Sequence, residues 1–111
     1  GGELAMQNLL ATGAQFTAVL AYNDAMASGA MTMLQDHGIC VPDQVSVMGY
    51  DDVLLAKYCR PKLTTLRYPV EMMAAKAAEL ALKYASGSKP EDGLTFKYTP
   101  TVVKRDSIIR I

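Results

Sequence analysis

The chain has 111 residues, half of them apolar, which suffices for one small packed domain or one lobe of a larger one. Eleven Lys and Arg balance eleven Asp and Glu, so the sequence carries no electrostatic footprint for nucleic-acid phosphates or an acidic membrane surface. Its two cysteines, Cys40 and Cys59, lack metal-site spacing and are too few for a disulfide scaffold; free thiols in a reducing cytoplasm are expected.

Leu4, Met6, Leu9 and Leu10 recur at helical spacing ahead of Gly13, which predicts a helix that Gly13 ends. The opening residues lack the basic start and apolar stretch of a signal peptide, and no apolar run is long enough to span a bilayer. Residues 16–22 form a nearly continuous apolar run, the pattern of a parallel strand covered on both faces, closed by Asn23 and Asp24. A helix is expected over 24–37, where Met26, Ala27, Ala30, Met31, Met33 and Leu34 make one apolar stripe before Gly38.

Residues 45–48 predict a second buried strand, followed by Gly49, Tyr50, Asp51 and Asp52, so the first half reads as a βαβ unit of an α/β fold. A short helix over 53–58 is bounded by Pro61, and 63–67 predicts a third strand. The clearest amphipathic helix covers 69–87, with Val70, Met73, Ala77, Leu80, Ala81 and Tyr84 on one face. A polar turn at 87–93 then leads to strand candidates at 94–98 and 101–104, separated by Pro100.

In open α/β sheets ligands bind beyond the carboxyl ends of the strands. Two predicted strands end in suitable groups: Asn23 offers an amide donor and acceptor, and Asp51 a carboxylate able to accept from two hydroxyls of a sugar. The competing reading is that Asn23 or Asp24, and Asp51 or Asp52, merely cap the helices that follow. A magnesium site on Asp51 and Asp52 would need a further aspartate at the end of a later strand, and none occurs between Asp52 and Asp92. The single histidine, His37, stands in a last helical turn, and no nucleophile–base pair, phosphate loop or metal set can be assembled, so no catalytic or metal residue is assigned and no cofactor is expected. The side of the 24–37 helix away from its stripe holds Ala25, Ser28, Gly29, Thr32 and Gln35 with only Asp36 charged; such residues suit the close approach of another helix in a subunit interface, with a solvated face as the competing reading.

Four runs carry a resemblance: Ala21-Tyr22-Asn23-Asp24-Ala25-Met26-Ala27, Val45-Ser46-Val47-Met48-Gly49-Tyr50-Asp51-Asp52, Leu63-Thr64-Thr65 and Val103-Lys104-Arg105, with Val41-Pro42 between the first two. In this order they resemble successive signatures of the lactose-repressor family of transcriptional regulators, and 60–69 with 77–82 are similar to its galactose-responsive branch. The resemblance implies an incomplete periplasmic-binding-protein-like core, a three-layer sandwich around a parallel sheet. In it 1–67 and 100–111 belong to the second lobe, and 68–99 are a crossover helix and strand of the first. It also implies a cytoplasmic repressor with Asn23 and Asp51 as sugar contacts, probing D-galactose or a related sugar. The dimer would pair through the second lobe along Ser28, Met31, Thr32, Gln35 and Cys59, with operator DNA held only by a helix-turn-helix outside this chain. A periplasmic sugar-binding transport protein is the alternative.

Overall fold

Local sequence and long-range packing agree best in the helix α2 (Asp24–Asp36). Asn23 caps it, with extended backbone and a side chain that accepts from Met26 N. Its stripe turns Ala27, Ala30, Met31 and Leu34 into the core, and it stops where Gly38 takes φ +71°. These observations come from a computed structural model, which describes residues 1–89 and 93–111.

Four helices and four short strands follow in the order α1 (Gly2–Ala11), β1 (Ala18–Leu20), α2, β2 (Ser46–Met48), α3 (Leu55–Tyr58), β3 (Thr65–Arg67), α4 (Val70–Ala85) and β4 (Thr101–Val103). Strands β1 and β2 are parallel, with Ala18, Val19 and Leu20 opposite Ser46, Val47 and Met48. A parallel bridge from Met48 to Thr64 leads the sheet on towards β3, which pairs with β4. The chain divides into two units, Gly1–Arg67 with Val102–Ile111, and Tyr68–Thr101. The second boundary falls two residues beyond the 99/100 position that the resemblance implied.

In the first unit, Met6 of α1, the inward stripe of α2, Val45, Val47, Ala56, Cys59 and Leu63 form one apolar core. Val19 and Val47 point into it because strand side chains alternate between faces. Helices α1 and α2 meet so closely that a Cβ on Gly29 would lie 2.9 Å from Glu3 N, and one on Gly2 would collide with the Met26 carbonyl. The buried Ser107 hydroxyl donates to Val47 O and accepts from Thr64 N, fastening the C-terminal segment across β2 and β3.

Several expectations are corrected. Strand β1 is not covered on both faces: Leu20 is 70% exposed, and the side carrying Ala18, Leu20, Ser46 and Met48 opens into a shallow groove beside Ile108. An apolar run shows that both faces are apolar, not that both are covered. Of the sandwich's three layers, this unit itself therefore shows the sheet and one helical side. Of the apolar residues at helical spacing in α1, Met6 is buried while Leu4 is 59% exposed. Residues 94–98 form no strand, since no strand among the described residues gives them a ladder to join.

In the second unit, α4 has the expected periodicity but no fully buried residue, and Met72 and Met73 are exposed. Lys76 lies 4.6 Å from the centroid of the Phe96 ring, a cation–π contact that holds residues near 96 against the helix. Gly87 and Gly93 take positive φ where the polar turn was expected; its residues 90–92 lie outside the described residues.

Candidate functional site

The register of β1 and β2 places Asn23 and Asp51 equally far along the chain, each three residues beyond the paired ends Leu20 and Met48. Asp24 N donates to Tyr50 O at 3.0 Å, so the two candidates flank a single backbone hydrogen bond at the carboxyl end of the sheet. This is where the open α/β sheet gathers ligands.

Of the two roles the sequence left open, Asn23 takes the capping one. Its Oδ1 is committed to the α2 cap, 2.8 Å from Met26 N, while its Nδ2 takes no partner among the described residues. Asp51 does not cap a helix. It is exposed, its carboxylate makes no hydrogen bond or ion pair among the described residues, and its φ is +109°. A non-glycine residue there stores about 1–3 kcal/mol of strain, which persists only where the surroundings over-determine the backbone.

Those surroundings are a buried polar network that sequence reasoning missed. Asp24, 1% exposed, accepts from Thr65 Oγ1 at 2.5 Å and from Val53 N at 2.8 Å. Gly49 passes directly beneath it, where any Cβ would strike the Asp24 carboxylate. Asp51 N donates to Leu66 O at 2.9 Å. Asp52, also left-handed at φ +54°, accepts from Arg105 Nη2 at 2.6 Å through Oδ1 and from Arg67 Nε at 2.7 Å through Oδ2. Burial pushes the Asp52 carboxyl up, but hydrogen bonds and charge from Arg105 and Arg67 outweigh it and leave the group below the ordinary carboxylate range. Both Asp52 oxygens are thus engaged by guanidinium groups.

The sequence contained one signal for this network, the run Asp51-Asp52. Nothing local showed that the second aspartate faces inward to Arg67 and Arg105 while the first faces solvent.

The interface candidates divide. Met31 is 3% exposed within the chain's own core and Cys59 is 8% exposed, so Met31 is removed from the surface set and Cys59 presents almost nothing to a partner. Thr32 and Gln35 are exposed and Ser28 half-buried. Gln35 Nε2 donates to Arg60 O at 2.9 Å, tying α2 to the segment after α3. The close approach permitted by Gly29 is taken by α1 of the same chain, not by a second subunit. His37 Nδ1 lies 2.9 Å from Met33 O in the last turn of α2.

A parallel sheet with α-helical cover and an amide and a carboxylate presented at its strand ends is the architecture of a ligand-binding lobe. The chain belongs to the periplasmic binding protein-like domain family, whose match covers residues 2–108. It is 54% identical over 108 residues to the HTH-type transcriptional regulator GalR of Salmonella typhimurium strain SL1344, covering 97% of this chain and 31% of that protein. Its fold is shared by solved structures, two of which serve as examples. One is a sugar-binding transcriptional regulator of the LacI family from Escherichia coli, complexed with phosphate: TM-score 0.82, 37% identity, 97% of this chain and 38% of that one. The other is a LacI-type transcription regulator from Bifidobacterium animalis subsp. lactis: TM-score 0.88, 33% identity, 98% and 39%. The resemblance to lactose-repressor-family regulators, and to their galactose branch, is met in these relatives. They are regulators rather than enzymes, and the transport-protein alternative is not favoured. The chain spans about a third of the length of the curated relatives it matches.

Proposed function

We propose that this chain is the effector-sensing part of a sugar-responsive transcriptional repressor, with D-galactose or a related sugar as effector. The observation that carries the reading is Asp51: an exposed carboxylate without a partner among the described residues, on a strained backbone at the carboxyl end of a parallel sheet. Its two oxygens accept from adjacent sugar hydroxyls, and Asn23 Nδ2 donates to a ring or hydroxyl oxygen. The galactose assignment rests on likeness to GalR.

In the intact regulator, a sugar that binds one arrangement of the core better than another shifts the population away from the operator-binding form. Operator DNA is held by a segment outside this chain. The neutral charge balance here fits that division of labour. A homodimer would use the outward side of α2 at Ser28, Thr32 and Gln35.

The test is calorimetric titration of D-galactose, with D-glucose as control, into the chain joined to the remaining core its relatives possess, and into the Asp51→Ala variant. Galactose-selective binding that disappears in the variant supports the reading. Equal binding in both proteins removes Asp51 from the site, and no binding of either sugar sinks the galactose assignment.

A further inference from the structure

Asp51 is restrained entirely by its neighbours. The three consecutive amides of Asp51, Asp52 and Val53 donate to Leu66 O, Thr65 Oγ1 and Asp24 Oδ2, at 2.9, 3.4 and 2.8 Å. The side chain of Asp52, 3% exposed, is gripped from two sides. Arg105 is itself fixed, since its Nη1 donates to Leu63 O and its backbone N to Thr64 Oγ1, both at 2.8 Å. Arg67, 57% exposed, closes the grip from the end of β3. Two left-handed non-glycine residues in succession are unfavourable unless the surroundings hold them, and the bonds that hold them leave the Asp51 carboxylate out.

From this arrangement we propose that Asp52 is a positioning residue: by accepting from Arg67 and Arg105 together it locks the left-handed backbone of Asp51 and so pre-organises the Asp51 carboxylate for a polyhydroxy ligand. The ligand in this statement rests on the sugar reading above; the locking does not. A carboxylate already aimed and already stripped of competing partners loses less freedom on binding, which is where a supporting residue gains affinity without touching the ligand. Asp52 also joins the last residue of β3 to Arg105, two residues beyond β4. The lock therefore spans both segments by which the chain leaves the first unit and re-enters it.

The experiment uses the chain joined to the remaining core its relatives possess, isotope-labelled, as wild type and as Asp52→Asn, Arg67→Met and Arg67→Lys. The readouts are amide hydrogen exchange at Asp51, its HN–Hα coupling constant as a report of φ, thermal melting, and chemical-shift titration with D-galactose. Arg67→Met removes an exposed side chain and keeps the fold even if Asp52→Asn does not. In Arg67→Met the Asp51 amide exchanges faster by about tenfold and its coupling constant moves towards an averaged value, while the melting of the remaining chain is little changed; Arg67→Lys restores part of the protection. Unaltered exchange and coupling at Asp51 in both Arg67→Met and Asp52→Asn overturn the proposal. Loosening of Asp51 together with a wild-type chain that shows no galactose shifts upholds the lock and counts against the sugar reading alone.

Discussion

Thr65 donates its hydroxyl hydrogen to Asp24 Oδ1 at 2.5 Å, with both residues closed to solvent, and so pins the start of α2 to β3. The other Asp24 oxygen holds Val53 N, just after the two left-handed residues. Replacing Asp24 by Ala leaves the Thr65 hydroxyl and the Val53 amide short of a partner at a site with little water. Each such loss costs about 1–3 kcal/mol. Asp24→Ala is expected to destabilise by about 3 kcal/mol in urea unfolding. Thr65→Val, which frees one of the same oxygens, should give a double-mutant coupling of about 1 kcal/mol or more. Strictly additive effects would show that the two side chains do not act as one unit.

Asp52 predicts the acid limb of the stability curve. Its folded carboxyl lies below the ordinary range, where Arg105 and Arg67 overcome the opposing effect of burial. As pH falls, the unfolded chain, with an ordinary Asp near 3.9, takes up its proton before the folded chain does, and protonation then favours unfolding. The stabilisation is fully present above about pH 4 and is lost as pH falls through the lower folded value. The melting difference between wild type and Asp52→Asn should stay level from about pH 7 to pH 5 and shrink below about pH 4. A difference that persists undiminished to about pH 2 contradicts the assignment.

The fold was legible where its determinants are local. The stripe of α2 with Asn23 before it and Gly38 after it, and the periodicity of α4, each follow from residues three or four apart. The strand-end positions of Asn23 and Asp51 were legible for the same reason. What was not legible depends on residues far apart in the chain. Asp52 meets Arg67 15 positions away and Arg105 53 positions away, and an Asp-Asp pair does not reveal which member turns inward. Residues 94–98 have the composition of a strand, but a strand exists only with a neighbour. Gly29 announced a close approach correctly, yet composition alone could not say that α1 rather than a second subunit makes it.

That approach is directly testable. Alanine ordinarily favours a helix interior over glycine by about 1 kcal/mol, so Gly29→Ala would stabilise α2 if its surface were free. Here the new Cβ would lie 2.9 Å from Glu3 N and 3.3 Å from the Gly2 carbonyl carbon, both backbone atoms that move only if α1 moves. Overpacking of this kind costs about 1–3 kcal/mol, which outweighs the propensity gain. The expected result is a net loss of stability with faster amide exchange in α1. A more stable Gly29→Ala protein would show that α1 does not pack on α2 in this way.

Asp51 offers the sharpest separation of stability from binding. At φ +109° an L side chain is strained, whereas glycine adopts such a backbone freely. Relief of about 1–3 kcal/mol of strain, less about 0.5–1 kcal/mol for the more flexible unfolded chain, leaves Asp51→Gly more stable than wild type by about 1 kcal/mol. Because the Asp51 carboxylate has no partner among the described residues, no hydrogen bond seen in the structure is lost in the exchange. The melting temperature should rise by about 4 °C, and Asp51→Ala, which keeps a Cβ in the same strained backbone, should not share the gain. Both variants should lose the sugar response equally. A position where the better folder is the worse binder is the thermodynamic mark of a residue kept for its ligand rather than for its fold. If glycine and alanine give the same melting temperature, Asp51 stores no strain, and a conformation held for binding is no longer the reason for its backbone.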